Sequence, residues 1–277
     1  MKKTLRTLLA ASLLAATAAW SEGIAFISNM KGEVALDGNP RPTLLAELAR
    51  GQKLSLGRDA QASVMFVSTG KEYALKGPGE YVVKDTEIAA SSGMPPMTRE
   101  TVWRTSSKVL GQAAQTSAAS VRMRSVSLQK PDIEPRLLFP TQGNVATLQP
   151  TFRWRAPQTK MQGEFVLLVA GQEKPVHVAN AVSGTYRVPA KLLPDTDYVW
   201  AVSVGGNEVG TARFRTLPAD AMERLDQRRP SPKSEFSDRV LFTLMLQEMG
   251  ASQEARESWS RLAEERSDLP ELASFAH

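Results

Sequence analysis

The residue types that could do chemistry are few in this chain. It contains no Cys and only two His, His177 and His277, so neither a thiol nucleophile nor a His-rich metal site can be assembled. A Ser–His–acid triad would have to use His177. That residue lies between Val176 and Val178, and the alternation predicts a strand whose imidazole points to solvent. Glu72, Glu80, Asp85 and Glu87 form the one local group of carboxylates of the kind that could hydrolyse a glycan in pairs. Each alternates with apolar residues or lies beside a turn, so solvated strand faces are the preferred reading. No Gly-x-Ser-x-Gly, phosphate-cradling loop or dinucleotide fingerprint occurs. No catalytic, cofactor-binding or metal-binding residue is assigned, and no cofactor is expected.

Charge narrows the choice of partner. The sequence pI of about 9.5 suggests a polyanion, but Lys2, Lys3 and Arg6 sit in a segment expected to be removed. Taking them from the 34 basic residues leaves an excess of only two over the 29 acidic ones. That is too little to draw in nucleic acid through the field of the whole protein.

The elements that must position any site begin with that removable segment. Lys2, Lys3 and Arg6 precede an uncharged run from Thr7 to Ala19, followed by small residues before Trp20. Residues 1–21 thus read as an export signal, cut after Ala18 or, as second choice, Ser21. The apolar run is shorter than the roughly 20 residues a membrane-spanning helix needs, so no stable span is expected after cleavage. The expected location is the periplasm.

From Ile24 to Ile88, short apolar runs are punctuated by Gly32, Gly38, Gly51, Gly57, Gly70, Gly77 and Gly79, the pattern of short strands joined by tight turns. Ile24–Ile27 and Gly32–Leu36 read as two strands flanking a short turn. Ala62–Val67 is apolar on both faces, as a strand covered on both sides would be. Tyr81 and Val83 share one face of the last strand. Gly32-x-Val34, Gly51-x-x-Leu54-x-x-Gly57, the Gly70 turn and Leu75-x-Gly77-Pro78-Gly79 resemble the FecR-type domain of bacterial envelope proteins. The resemblance implies an all-β module outside the cytoplasmic membrane, over residues 22–90. Signalling members carry a cytoplasmic sigma-factor-binding segment before a membrane helix, whereas this sequence has an export signal there, so that role is not carried over.

Residues 91–136 change composition, with Ser91-Ser92-Gly93-Met94-Pro95-Pro96 and a small, polar run from Gly111 to Ser120. They read as a linker or loosely held arm, with Val102 and Trp103 able to dock back. Its basic residues are spread out, which favours a solvated linker over a lipid or cell-wall contact.

Between residues 137 and 218, Phe152 and Trp154 alternate with Arg153 and Arg155, Phe165–Val169 is continuously apolar, and Tyr198, Trp200 and Val202 share a face. Leu192-x-Pro194-x-Thr196-x-Tyr198 resembles the turn and tyrosine corner of fibronectin type III and related immunoglobulin-like domains. That resemblance implies a β-sandwich, with Gly205-Gly206-Asn207 as a hairpin and Ala212 and Phe214 inward on the last strand.

The period then changes. Residues 219–277 follow Pro218, and Phe236–Met249 carries an apolar helical stripe ended by Gly250. Ser252 is placed to cap a second helix with Ala255, Trp259, Leu262 and Ala263 on its buried side. Gly250, Ala255 and Trp259 resemble positions of a tetratricopeptide repeat, and Pro270 would start a third helix. One such hairpin cannot bury a continuous core alone, so packing on the preceding sandwich is favoured over pairing with a second protein. Trp259 is read as core. The expected fold is mainly β: a FecR-like β domain, an immunoglobulin-like sandwich and a short helical hairpin. The expected function is non-enzymatic: binding or scaffolding an envelope protein or cell-wall glycan. The alternatives are a sensor arm of a membrane signalling system and, less favoured, a carboxylate-dependent glycan hydrolase.

Overall fold

A computed structural model of the chain describes residues 23–100, 137–155, 163–181, 184–204 and 207–276. The expected export signal, most of the expected arm with Trp103, and His277 lie outside them.

The first β unit is two sheets packed face to face. One has the order β3(Glu47–Leu48), β1(Ala25–Lys31), β5(Gln61–Phe66), β6(Lys71–Lys76), β9(Met97–Glu100); the other runs β2(Val34–Leu36), β4(Lys53–Leu56), β7(Gly79–Val83), β8(Ile88–Ser92). Although only Gly32 and Glu33 separate them, β1 and β2 do not form a hairpin. They join different sheets, β1 pairing with β3 and β5 and β2 pairing with β4. Gly77 explains part of the glycine pattern: a Cβ there would come within 1.9 Å of the Gly57 carbonyl oxygen, so the two turns can meet only without a side chain. The expected arm also begins later than residue 91. β8 runs through Ser92, and β9 adds an edge strand to β6.

Alternation on β1 and β5 divides their side chains between two cores. Ala25, Ile27, Val64 and Phe66 point between the two sheets, while Phe26 and Met65 point outward into a second cluster. The double-sided burial expected of Ala62–Val67 is observed, and the outer cover is helical.

The second β unit is a sandwich. A three-stranded sheet, β10(Leu137–Phe139), β12(Thr151–Trp154), β15(Thr185–Arg187), faces a five-stranded one in the order β11(Asn144–Val145), β17(Asn207–Thr216), β16(Asp197–Val204), β13(Gly163–Val169), β14(His177–Ala181). All pairings are antiparallel except β11 with β17. Phe152, Phe165 and Trp200 meet edge to face or tilted at its centre. The Leu193 N–H donates to the Tyr198 hydroxyl at 2.9 Å, a bond back to the turn five residues upstream.

Four helices follow: α1(Ala219–Gln227), α2(Phe236–Glu248), α3(Ser252–Glu265) and α4(Leu272–Phe275). α1 starts directly after β17 and was not expected from the sequence. Ser252 is not the cap; it is the first residue of α3, and Ala251 holds the cap position without a side-chain hydrogen bond. Gly250, at φ 73°, makes the left-handed turn that ends α2. Trp259 is fully buried, its ring 4.9 Å from that of Phe275, and its Nε1–H donates to Gln247 at 3.1 Å. The helices pack on both β units: Phe26, Leu44, Leu45 and Met65 from the first and Ala146 from the second belong to the same apolar cluster as Leu225, Val240, Leu241 and Trp259.

Candidate functional site

Glu80, Asp85 and Glu87 are exposed, with Asp85 paired to Arg50 at 3.2 Å and Glu87 to Lys84 at 3.1 Å. Glu72 departs from the expected solvated face: it is only 3% exposed. Its Oε1 accepts the Ser28 hydroxyl at 2.7 Å and its Oε2 accepts Arg99 Nε at 2.9 Å. Arg99 continues to Asp238 at 3.0 Å and Ser237 at 3.1 Å on α2. Burial works against the Arg99 charge, but the hydrogen bonds to Asp238 and Glu72 outweigh it and hold the guanidinium above its usual range. This network fastens the helices to the first β unit. It has no free carboxylate to act on a substrate.

His177 also differs from expectation. Its Nε2 is 2.5 Å from the Tyr186 hydroxyl, and the two rings stack with centroids 5.5 Å apart. Val176 and Val178 are the exposed pair instead, at 49% and 51%, because β14 is an edge strand that turns His177 toward β15. Among the described residues, no group of three or more His, Asp or Glu side chains is placed to hold a metal ion.

One feature with the dimensions of a binding site is a half-open cleft of about 800 Å³ between the sandwich, the α2–α3 hairpin and the loop at Arg229–Pro232, a size within the range of ligand sites. The sandwich supplies Phe139, Thr151 and Arg153; α2 supplies Arg239, Phe242 and Leu246; α3 supplies Glu254, Glu257, Ser258, Arg261, Leu262 and Glu265. Helical spacing explains the last two sets, since positions three, four and seven apart share one face. Arg153 pairs with Glu257 and lies 4.9 Å over the Phe139 ring. Arg229 lies 5.4 Å over Phe242 and pairs with Asp226 at 2.9 Å. Arg239 pairs with Glu265, whose carboxyl is thereby held below its usual range.

The end of this cleft is also the joint between the sandwich and the helices. Thr141 N–H donates to Gln253 at 2.7 Å, Asn144 Nδ2–H donates to the Met249 carbonyl at 2.7 Å, and Ala146 N–H donates to Glu254 Oε1 at 2.9 Å. Glu254 Oε2 is buried without a hydrogen-bond partner among the described residues. Burial pushes this carboxyl up to about 7, a rise opposed by the backbone N–H groups of Ala146 and Glu254, assisted by Glu257 and opposed by Arg229.

Sequence reasoning missed this site. Arg153 was visible as the polar partner in the Phe152–Trp154 alternation, and Arg229 as part of a boundary. Nothing local brings them together with Arg261, because three elements far apart in sequence form the walls. Compared with known proteins, the chain matches no family model, and no curated protein is significantly similar to it.

Proposed function

We propose that this is an exported, non-enzymatic protein of the bacterial envelope that binds or scaffolds a protein or cell-wall partner in the periplasm. In this reading the first unit is FecR-like, the second is fibronectin type III-like, and the helices lock them into one body. The observation that carries the binding role is the cleft: a half-open space of about 800 Å³ lined by apolar Phe139, Phe242 and Leu246 together with Arg153, Arg229, Arg239 and Arg261. Support for export comes from the Lys2-Lys3-Arg6 start and the apolar run to Ala19. Among the described residues, no helix is long and apolar enough to cross a membrane. Of the carboxylates considered for glycan hydrolysis, Glu72, Asp85 and Glu87 are taken up in ion pairs and Glu80 is exposed, which favours binding over catalysis.

The test places a photo-crosslinking amino acid at Thr147, on the cleft wall, and separately at exposed Arg58, remote from it. Discrete adducts with an envelope protein or with cell-wall fragments at Thr147, and none at Arg58, are the expected result. Equal or absent labelling from both positions would overturn the assignment of the cleft. Recovery of the chain only in the cytoplasmic fraction, at unprocessed mass, would overturn the export.

A further inference from the structure

Arg239, Phe242 and Leu246 make one stripe along α2, and Glu257, Arg261 and Glu265 make another along α3. Three of the four arginines on the cleft wall are in ion pairs, Arg153 with Glu257, Arg239 with Glu265 and Arg229 with Asp226, although Arg239 Nε is buried without a hydrogen-bond partner among the described residues. Arg261 is exposed and makes no ion pair or hydrogen bond among the described residues. The lining itself holds four guanidinium groups against three carboxylates, Glu254, Glu257 and Glu265, and Arg261 lies on it with the apolar side chains of Phe242, Leu246 and Leu262. The ring contacts of Arg153 and Arg229 hold their guanidinium groups in place, which lowers the ordering cost of binding.

An occupant that complements this surface combines apolar side chains for Phe242, Leu246 and Leu262 with a carboxylate for Arg261. The cleft is half-open, which suits a chain segment lying across it better than an enclosed small molecule. We propose that the cleft between the sandwich and the α2–α3 hairpin docks an extended, acidic–apolar peptide segment of a partner protein, with a carboxylate of that segment paired to Arg261. This inference rests on the reading of the chain as a binding protein, and it narrows the partner from protein or glycan to an acidic peptide.

The experiment is a fluorescence anisotropy titration of the full mature chain with three labelled synthetic peptides of equal length, alternating Leu with Glu, with Gln or with Lys. The Leu/Glu peptide is expected to bind at least tenfold more tightly than the Leu/Lys peptide. Its affinity should fall as salt rises from about 0.05 M to about 0.5 M, where screening shortens to a few ångströms. Arg261→Glu should weaken Leu/Glu binding at least tenfold. Arg58→Glu, which changes net charge equally at an exposed turn, should alter it less than twofold. Equal binding of Leu/Glu and Leu/Lys, no binding of any peptide, or equal effects of the two charge reversals would overturn the proposal. In those cases crosslinking from Thr147 to a glycan or to a non-acidic protein surface would leave the broader binding role standing.

Discussion

Against the first β unit the helices bury Phe26, Leu44, Leu45 and Met65 together with a charged network that runs from Ser28 through Glu72 and Arg99 to Asp238. Against the sandwich they present Gln253, Glu254 and the Met249 carbonyl to groups of residues 138–146, beside an open cleft. The first contact is a shared core, since the outer face of β1 and β5 has no other cover. The second is mostly hydrogen bonds between polar groups, each of modest net value. The difference separates the two joints into a permanent one and one whose strength depends on conditions.

The largest blow to that contrast is Phe26→Ala. It removes a fully buried ring from the helical side of β1 and is expected to cost about 3–5 kcal/mol. In urea unfolding, the first β unit and the helices should lose stability together; separate transitions in the wild type would contradict a shared core. Arg99→Met leaves Glu72 buried at 3% exposure without its cation, at an expected cost of about 3 kcal/mol. The double variant Glu72→Gln/Arg99→Met should recover part of that loss, and a double variant worse than the single would show that the pair is not coupled.

The sandwich joint is expected to respond to pH. Because Glu254 is raised from 4.5 to about 7 in the folded chain, the folded state favours the protonated carboxyl. Its stabilising contribution is complete below about pH 4.5 and is lost as pH rises through about 7, a swing of about 3 kcal/mol. Glu254→Gln should flatten that part of the stability–pH profile, and an unchanged profile would refute the assignment. The smallest effect belongs to Asn144→Ala, which deletes the 2.7 Å bond to the Met249 carbonyl for about 1 kcal/mol. It should move the unfolding midpoint by only a few degrees.

What the sequence disclosed follows from the range of each signal. The Phe152–Arg153–Trp154 alternation and the Tyr198, Trp200, Val202 face report which side of a strand is buried, and their burial agrees. The double-sided apolar character of Ala62–Val67 even announced a second cover without naming it. Pairing partners were another matter: the short turn between β1 and β2 looks like a hairpin, because spacing carries no information on which sheet each strand joins. Glu72 reads as solvated from its neighbours Lys71 and Tyr73, since its compensating charge, Arg99, lies on β9, 27 positions away. α1 was overlooked because Pro218 and the nearby prolines mask a nine-residue helix. The cleft was illegible for the same reason as the Glu72 network, being built from residues about 100 positions apart, as in the Arg153–Glu257 pair.

The outward-facing Phe26 and Met65 also bear on how the chain is made. Their covering helices emerge far later, and Leu44 waits for Glu271, 227 positions downstream, to accept its N–H. Until then the first β unit can close its inner core but keeps a bare apolar face, the kind of surface that draws folding intermediates into aggregates. A product truncated before α2 would retain that face permanently. Completion of the N-terminal unit is thus tied to delivery of the C-terminal helices, without which Phe26 and Met65 keep no cover.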